Sequence, residues 1–302
     1  MGIKGLSSFL RKRAQTAFMP IYMSNLSGKR VAVDVAILAY KYSYSREDAS
    51  DTAFMADAFY QNYLFMRSQH VHVTYVFDGP TRSEKMFERE RRNRARDNAL
   101  KRQVETMEQL TCKRQKLSQE CDGVTLIREI TQIEDAIKQV KRRVVVVTQD
   151  DYKCIQQKFT DMNVPFLVAT HDAEDLCAKL CKQDRVDFAA SDDYDTLTCG
   201  APRVLRNLLS STRAMEMVCL KTLLSTLEMT QAEFVDFCIL CGCDFTEHLH
   251  KVGPVTAFKA IKEFGTIERV VQEHPHIKQL AAADDFGTRF NYADARACFL
   301  EQ

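Results

Sequence analysis

The sequence predicts an α/β fold, and three observations carry that prediction. Short apolar runs of strand character alternate with stretches of helical spacing along most of the 302 residues. Four of those runs end in an acid or deliver acids just beyond their last residue. A long, highly charged segment with little apolar content is inserted into the alternation, and a helix–turn–helix pattern follows it.

The first twelve or so residues carry Ile3, Leu6, Phe9 and Leu10 at helical spacing, with Gly2 and Gly5 permitting close backbone approach. Val31-Ala32-Val33 reads as a buried strand with Asp34 at its carboxyl end, where functional residues of open α/β sheets collect. A helix that includes Tyr40 is expected from Val35, and a second from Asp51 to about Arg67. Val71 to Phe77 is the next strand, closed by Asp78-Gly79-Pro80, where Gly-Pro turns the chain. Residues 82–142 hold few apolar positions, no proline and one glycine, Gly123. They read as two charged helices joined near Cys121-Asp122-Gly123, with too little apolar surface for the core, so the pair should project. Val144 to Val147 reads as filler or a short extended piece, and a helix starting near Thr148 presents Cys154, Ile155 and Phe159. Val164 to Val168 and Val186 to Ala190 are two more strands, and Val204-Leu205 with Met215–Val218 look like a closing ribbon. Leu220 to Gly242 reads as one helix, and Lys251 to Val255 as the turn of a helix–turn–helix that exposes N–H groups to phosphate. The stretch from Asp284 to Gln302 is polar, then helical, with Ala297, Phe299 and Leu300 able to dock. No repeat or low-complexity linker divides the chain, so one continuous body is expected.

Composition excludes several classes. With 45% hydrophobic and 27% charged residues the chain has the make-up of a globular protein. No segment approaches the roughly eighteen apolar residues of a membrane span. The first residues lack a secretory pattern, and Leu6 stands where a myristoylation motif wants Ser or Thr. Eleven cysteines, odd and scattered, point to a reducing intracellular compartment, nuclear or cytoplasmic. Cys238, Cys241 and Cys243, with His248 or His250, admit a zinc site; the apolar run around them favours buried thiols acting as small hydrophobes. The net charge of +1 names no partner, but residues 81–102 hold nine Lys or Arg against four acids. Lys85, Arg89, Arg92 and Arg96 would share one helix face.

The acids carry the chemistry. Asp172 and Glu174 lie two apart, as do Asp193 and Asp195, and Asp34, Asp78 and Asp244 each close an apolar run. Carboxylates held together need a cation or a shared proton. Seven of them, with no His or Cys required, suit Mg²⁺ or Mn²⁺. On a helix, Asp172 and Glu174 would point about 200° apart, so both can face one site only from a helix N-terminus or a loop. A basic surface beside an acidic cage suggests a polyanion held over metal ions.

MGIKGL at the start, VAVD at 31–34, VFDG at 76–79, DAED at 172–175, SDDYDTLTCG at 191–200 and CILCGCDF followed by KVGPVTA resemble, in this order, the flap endonuclease/XPG-type 5′ nucleases. The resemblance spans almost the whole chain. It implies a PIN-like, mostly parallel twisted sheet flanked by helices, with an inserted helical arch and a C-terminal helix–two-turn–helix. One nuclease domain, 1–302, would comprise an N-terminal region at 1–100, the arch at 82–142, an internal region at 150–242 and the helix–two-turn–helix at 243–268. By resemblance, Asp34, Asp78, Asp172, Glu174, Asp193, Asp195 and Asp244 hold two Mg²⁺ or Mn²⁺ ions, with Asp78 and Asp193 central to catalysis. Lys85 and Arg92 match the basic pair at the foot of the arch, with Arg89 competing for the second place and Arg96 further along the same DNA-facing helix. Tyr40 matches an aromatic that stacks on a base, and Gly2 a processed terminus beside the site. Lys251 and Gly253 match the turn that grips duplex DNA, usually with a monovalent cation such as K⁺.

The implied protein is a monomeric nuclease of flapped or branched DNA. Asp172 departs from the pattern, standing where the family usually has Glu, so that ligand is one methylene shorter and would act through water. The arch has its own sequence. The chain stops at Gln302 without a clamp-binding tail, which gives a sliding-clamp partner no support. The competing expectations are a catalytically silent DNA-binding scaffold on the same fold and an RNA-directed nuclease.

Overall fold

The computed structural model describes residue 3 and residues 5–46, 51–120, 130–137, 147–210, 213–283 and 285–300. Gly2, the Cys121–Gly123 junction and residues 144–146 lie outside that set, so the expectations placed on them are not addressed.

Seven strands form one sheet: β1 (Phe18–Pro20), β2 (Arg30–Asp34), β3 (His72–Phe77), β4 (Phe166–Val168), β5 (Phe188–Ala190), β6 (Arg203–Arg206) and β7 (Glu216–Cys219). Their spatial order is β1-β7-β6-β5-β2-β3-β4. The run from β6 to β4 is parallel throughout, in register Val33↔Tyr75, Val33↔Ala190, Val76↔Leu167 and Ala189↔Val204. β7 returns antiparallel on β6, the ribbon expected from the sequence, and β1 closes that edge antiparallel to β7. β1 has no sequence signal, because three residues are too few to show alternation. β4 begins at Phe166 because Pro165 has no N–H; its carbonyl instead accepts the Tyr75 N–H at 3.1 Å.

Side chains alternate across the central strands. Val31, Val33, Val73, Tyr75 and Phe77 pack on one face with the helices α2 (Val35–Ser43), α3 (Thr52–Ser68) and α6 (Gln149–Asp161). Ala32, Val76 and Ala189 face a larger core that includes α1 (Leu6–Arg13), α7 (Ala173–Lys182), α9 (Leu220–Leu227) and α10 (Gln231–Cys241). Cores on both faces explain why the strands read as near-continuous apolar runs.

The expected single helix over 220–242 is two. Glu228 takes a left-handed conformation at φ 52 and ends α9. Thr230 then caps α10, its hydroxyl accepting the Glu233 N–H at 3.2 Å while Glu233 accepts the Thr230 N–H at 2.7 Å. That Thr-x-x-Glu box is a legible start signal. Gly242, at φ +96, stops α10. Two turns lead from there to α11 (Pro254–Phe264), whose first position is Pro, a residue with no N–H to leave unpaired.

The charged insert is α4 (Met86–Glu120), 35 residues and thus about 52 Å long at 1.5 Å per residue. It is exposed along most of its length. An Arg114–Glu134 pair at 2.9 Å joins it to a helix over 130–137, α5, in which Ile133 is buried. After α8 (Asp195–Thr198) and the small helices α12 (Ile267–Glu273), α13 (Pro275–Ala281) and α14 (Phe286–Arg289), α15 (Tyr292–Leu300) docks with Phe299 and Cys298 buried. Leu300 is a correction: it is 45% exposed, and Ala295 takes the buried place instead. Arg296 staples α15 to Asp236 of α10 at 2.8 Å and to Glu268 of α12 at 2.7 Å. No helix among the described residues is long and apolar enough to cross a membrane.

Candidate active site

The strand order explains how acids far apart in sequence meet. β5, β2, β3 and β4 are neighbours and parallel, so their carboxyl ends share one edge of the sheet. Asp34 ends β2, Asp78 follows β3, Asp172 and Glu174 follow β4, and Asp193 and Asp195 follow β5. Asp244 arrives from the end of α10.

Each acid is fixed locally. Asp34 is 2% exposed; one oxygen caps α2 by accepting the Ala36 N–H at 2.9 Å, and the other faces the Ser191 hydroxyl at 3.4 Å. Burial first, and then the charge of Asp78, push its carboxyl up to about 8. Asp78 accepts the Ala173 N–H at 2.8 Å and so ties β3 to the start of α7. Asp172 is the N-cap residue of α7 and Glu174 lies in its first turn, the N-terminal placement the two-residue spacing required. Asp193 accepts the Asp195 N–H at 3.2 Å, and its own N–H donates to the Ser191 hydroxyl at 3.1 Å. Burial raises Glu174 and Asp195 well above the carboxylate range, and the neighbouring carboxylates raise both further.

Two cations enter from the insert. Lys85 closes a single 3₁₀ turn, Ser83–Lys85, just before α4, and its Nζ lies 2.8 Å from Asp172. Burial alone would lower its ammonium; Glu174, Asp172 and Asp195 outweigh that and hold it above its usual value. Arg92, two turns along α4, donates to Asp244 at 2.5 Å and to Glu88 at 2.8 Å. Arg89 is not a second partner for the acids: it bonds to the Thr81 hydroxyl and stays exposed, as does Arg96. Tyr40 stands on α2, 37% exposed, and Lys251 and Gly253 lie in the second turn before α11.

The chemistry of this donor set fits hard divalent cations. Every candidate donor is a carboxylate, and the buried Oδ1 of Asp195 has no hydrogen-bond partner. As placed, no three His, Cys, Asp or Glu side chains among the described residues stand in ligating position. Lys85 and Arg92 lie against the acids as counter-charges instead. Cys238, Cys241 and Cys243 are buried in the apolar core, the hydrophobic role expected of them, while His248 and His250 are exposed. No disulfide links the described cysteines.

Residues 1–99 match the XPG N-terminal domain and residues 163–244 the XPG I-region. Flap endonuclease 1 of Meyerozyma guilliermondii is 31% identical over 316 aligned residues, covering 99% of this chain and 77% of that protein. The chain belongs to the flap endonuclease family. A second member, flap endonuclease 1 of Komagataella phaffii, is also 31% identical with the same shares covered. Solved structures share the PIN-like nuclease fold. The catalytic core of Rad2 with DNA substrate gives a TM-score of 0.64 at 20% identity, covering 97% of this chain and 85% of that one. Flap endonuclease-1 from Methanococcus jannaschii gives 0.61 at 18%, covering 94% and 82%. Human GEN1 with Holliday junction DNA gives 0.61 at 16%, covering 99% and 66%.

Within this family frame the chain adds groups that sequence reasoning missed. Arg82 reaches Asp172 at 3.4 Å and Asp175 at 3.0 Å. Arg206, 7% exposed, lies 4.2 Å over the Tyr194 ring and donates to the Asp192 carbonyl at 3.0 Å. With the Asn207 N–H on the Asp192 carboxylate at 2.7 Å, it clamps the loop that carries Asp193 and Asp195. The only signal for Arg206 was a charged residue inside an apolar strand. Gly79 has no room for a side chain: a Cβ there would stand 2.1 Å from the Ala169 carbonyl oxygen.

Proposed function

We propose that this chain hydrolyses phosphodiesters in flapped or branched DNA, at 5′ flaps or single-strand/duplex junctions, as a divalent-metal-dependent 5′ nuclease. One observation carries the reading: six acids gathered at one edge of a parallel sheet, joined by Asp244, with Lys85 and Arg92 reaching them from a projecting helix. Asp34, Asp78, Asp172, Glu174, Asp193, Asp195 and Asp244 would hold two Mg²⁺ or Mn²⁺ ions, which supply an activated water and stabilise the leaving oxygen.

The chain's own residues do the rest. Lys85 and Arg92 move from the acids onto the scissile phosphate, whose charge they offset as it builds in the transition state. Ser191 and the Ala36 and Ala173 amides hold Asp34 and Asp78 in fixed orientation, so that little reorganisation accompanies reaction. Tyr40 is exposed on the helix that Asp34 caps, where a terminal base can stack on it for roughly 1–3 kcal/mol.

Arg89 and Arg96 line the exposed face of α4 that the strand would pass. Lys251 and Gly253 offer the α11 N-terminus to a duplex phosphate, with K⁺ as the accompanying ion. The turn is open at Gly253, where a Cβ would meet no atom of the chain within 4 Å.

The deciding experiment is cleavage of end-labelled flapped, nicked, gapped and four-way DNAs, and of matching RNA flaps, in Mg²⁺ with the cut sites mapped. Cuts at the junction of DNA flaps that vanish in EDTA are expected. Absence of metal-dependent cutting on every substrate would leave a DNA-binding scaffold, and preferential cutting of RNA would overturn the DNA assignment.

A further inference from the structure

We infer that the C-terminal helix α15 positions the foot of the inserted helix, holding Lys85 through the rings of Phe299 and Phe245. The Lys85 ammonium lies 4.8 Å from the centre of the Phe245 ring. Phe245 directly follows Asp244, so a single stretch of backbone carries both the acid that meets Arg92 and the ring that lies under Lys85. That ring packs T-shaped against Phe299 of α15, with centroids 4.9 Å apart and an interplanar angle of 89°. Phe299 is 1% exposed and Phe245 7%. Arg82, the cation that pairs with Asp172 at 3.4 Å and Asp175 at 3.0 Å, is a second basic group beside the acid that Lys85 meets.

One helix therefore reaches, through two rings, the lysine that meets Asp172. The anchor of α15 is separate from these contacts, because Arg296 bonds to Asp236 of α10 and Glu268 of α12 and not to Lys85. A lysine ammonium sits on a flexible four-carbon stem. Resting it over an aromatic face limits where it can travel, and a fixed charge is worth more to a developing transition state than a wandering one. Phe245 and Phe299 act here as positioning residues, through Lys85.

The inference rests on the reading of Lys85 as a phosphate-facing group, and the test separates the two. Single-turnover cleavage of a labelled 5′ flap DNA in saturating Mg²⁺ is measured for the full chain, Phe299→Leu, Lys85→Met and the double variant. Flap binding in Ca²⁺ and thermal melting are followed alongside. Phe299→Leu keeps an apolar side chain and loses the ring; it is expected to slow cleavage about ten- to a hundredfold while flap binding stays within about twofold. In the Lys85→Met background the same change is expected to cost nothing more, because the group it positions is gone.

A Phe299→Leu rate within about twofold of the parent, or the same slowing in both backgrounds, overturns the brace and leaves the Lys85 reading intact. Normal cleavage by Lys85→Met overturns the Lys85 reading, and the brace with it. If Phe299→Leu does not fold, Phe245→Leu enters the same cycle with the same expected and overturning results.

Discussion

At the scale of single residues, two positions separate ligand from support. Asp193 stands beside the other acids with a carboxylate that accepts the Asp195 N–H, whereas Asp172 is engaged by Lys85 and Arg82. Asp172→Ala is expected to slow flap cleavage about 10–100-fold, the range for a group that orients others, and Asp193→Ala by more. Both should still bind flap DNA in Ca²⁺; the reverse order of rates would sink the proposed division of roles. Gly79 makes a second case. Its N–H donates to the His171 carbonyl at 2.6 Å, and any Cβ collides with the backbone of the strand exit beside it. Gly79→Ala is expected to cost about 1–3 kcal/mol in a urea melt and to slow cleavage as well, since it pries Asp78 from Asp172. All seven acids were legible in the sequence, because an acid at the end of an apolar run is a local pattern. Arg82, Phe245 and Arg206 were not, because their partners lie far away in sequence and nothing near them marks the contact.

At the scale of elements, α15 and α4 lead to different measurements. Arg296→Met removes the staple from the 5%-exposed Asp236 carboxylate; with the arginine side chain itself 27% exposed, a loss of about 1–3 kcal/mol is expected. The same staple has a pH signature. The hydrogen bond from Arg296 holds Glu268 below its usual value. A depressed folded-state carboxyl contributes its full stability above its unfolded pKa, near 4.3, and loses it as pH falls through the lower folded value. Stability measured between about pH 5 and 3 should therefore fall less steeply in Arg296→Met than in the parent chain.

On α4, Arg89 and Arg96 are exposed where a DNA strand would lie. Replacing both with Ala should reduce the slope of log affinity against log salt by about 1–2, measured by flap binding in Ca²⁺. An unchanged slope would remove them from the interface. Helix existence was readable along most of the chain, but the break at Glu228 was not. The apolar positions of α9 and α10 run on at helical spacing, and only the capping box at Thr230 betrays the new start.

At the scale of the whole molecule, burial keeps Asp34, Glu174 and Asp195 far from their ordinary protonation, so the sheet edge carries a standing electrostatic cost. A divalent cation relieves it. Mg²⁺ at a hundred times its dissociation constant should add about 2.7 kcal/mol to unfolding stability, and Asp193→Ala should lose most of that gain in a thermal melt. The alternation of strands and helices made a parallel sheet legible, but the spatial order could not be read. Pairing β2 with both β3 and β5 is a choice among faces that each strand's apolar run leaves open.

That order also sets when the chain can first act. By residue 150 a growing chain holds only Asp34 and Asp78 of the seven acids, and Asp244 comes last, nearly a hundred residues later. Lys85 and Arg92 are made early and have no complete set of acids to meet until α10 is finished. A fragment that ends before residue 172 therefore carries Lys85 and Arg92 with only two of the seven acids. In chain order the basic groups come first, and the last acid they meet, Asp244, follows Arg92 by 152 residues.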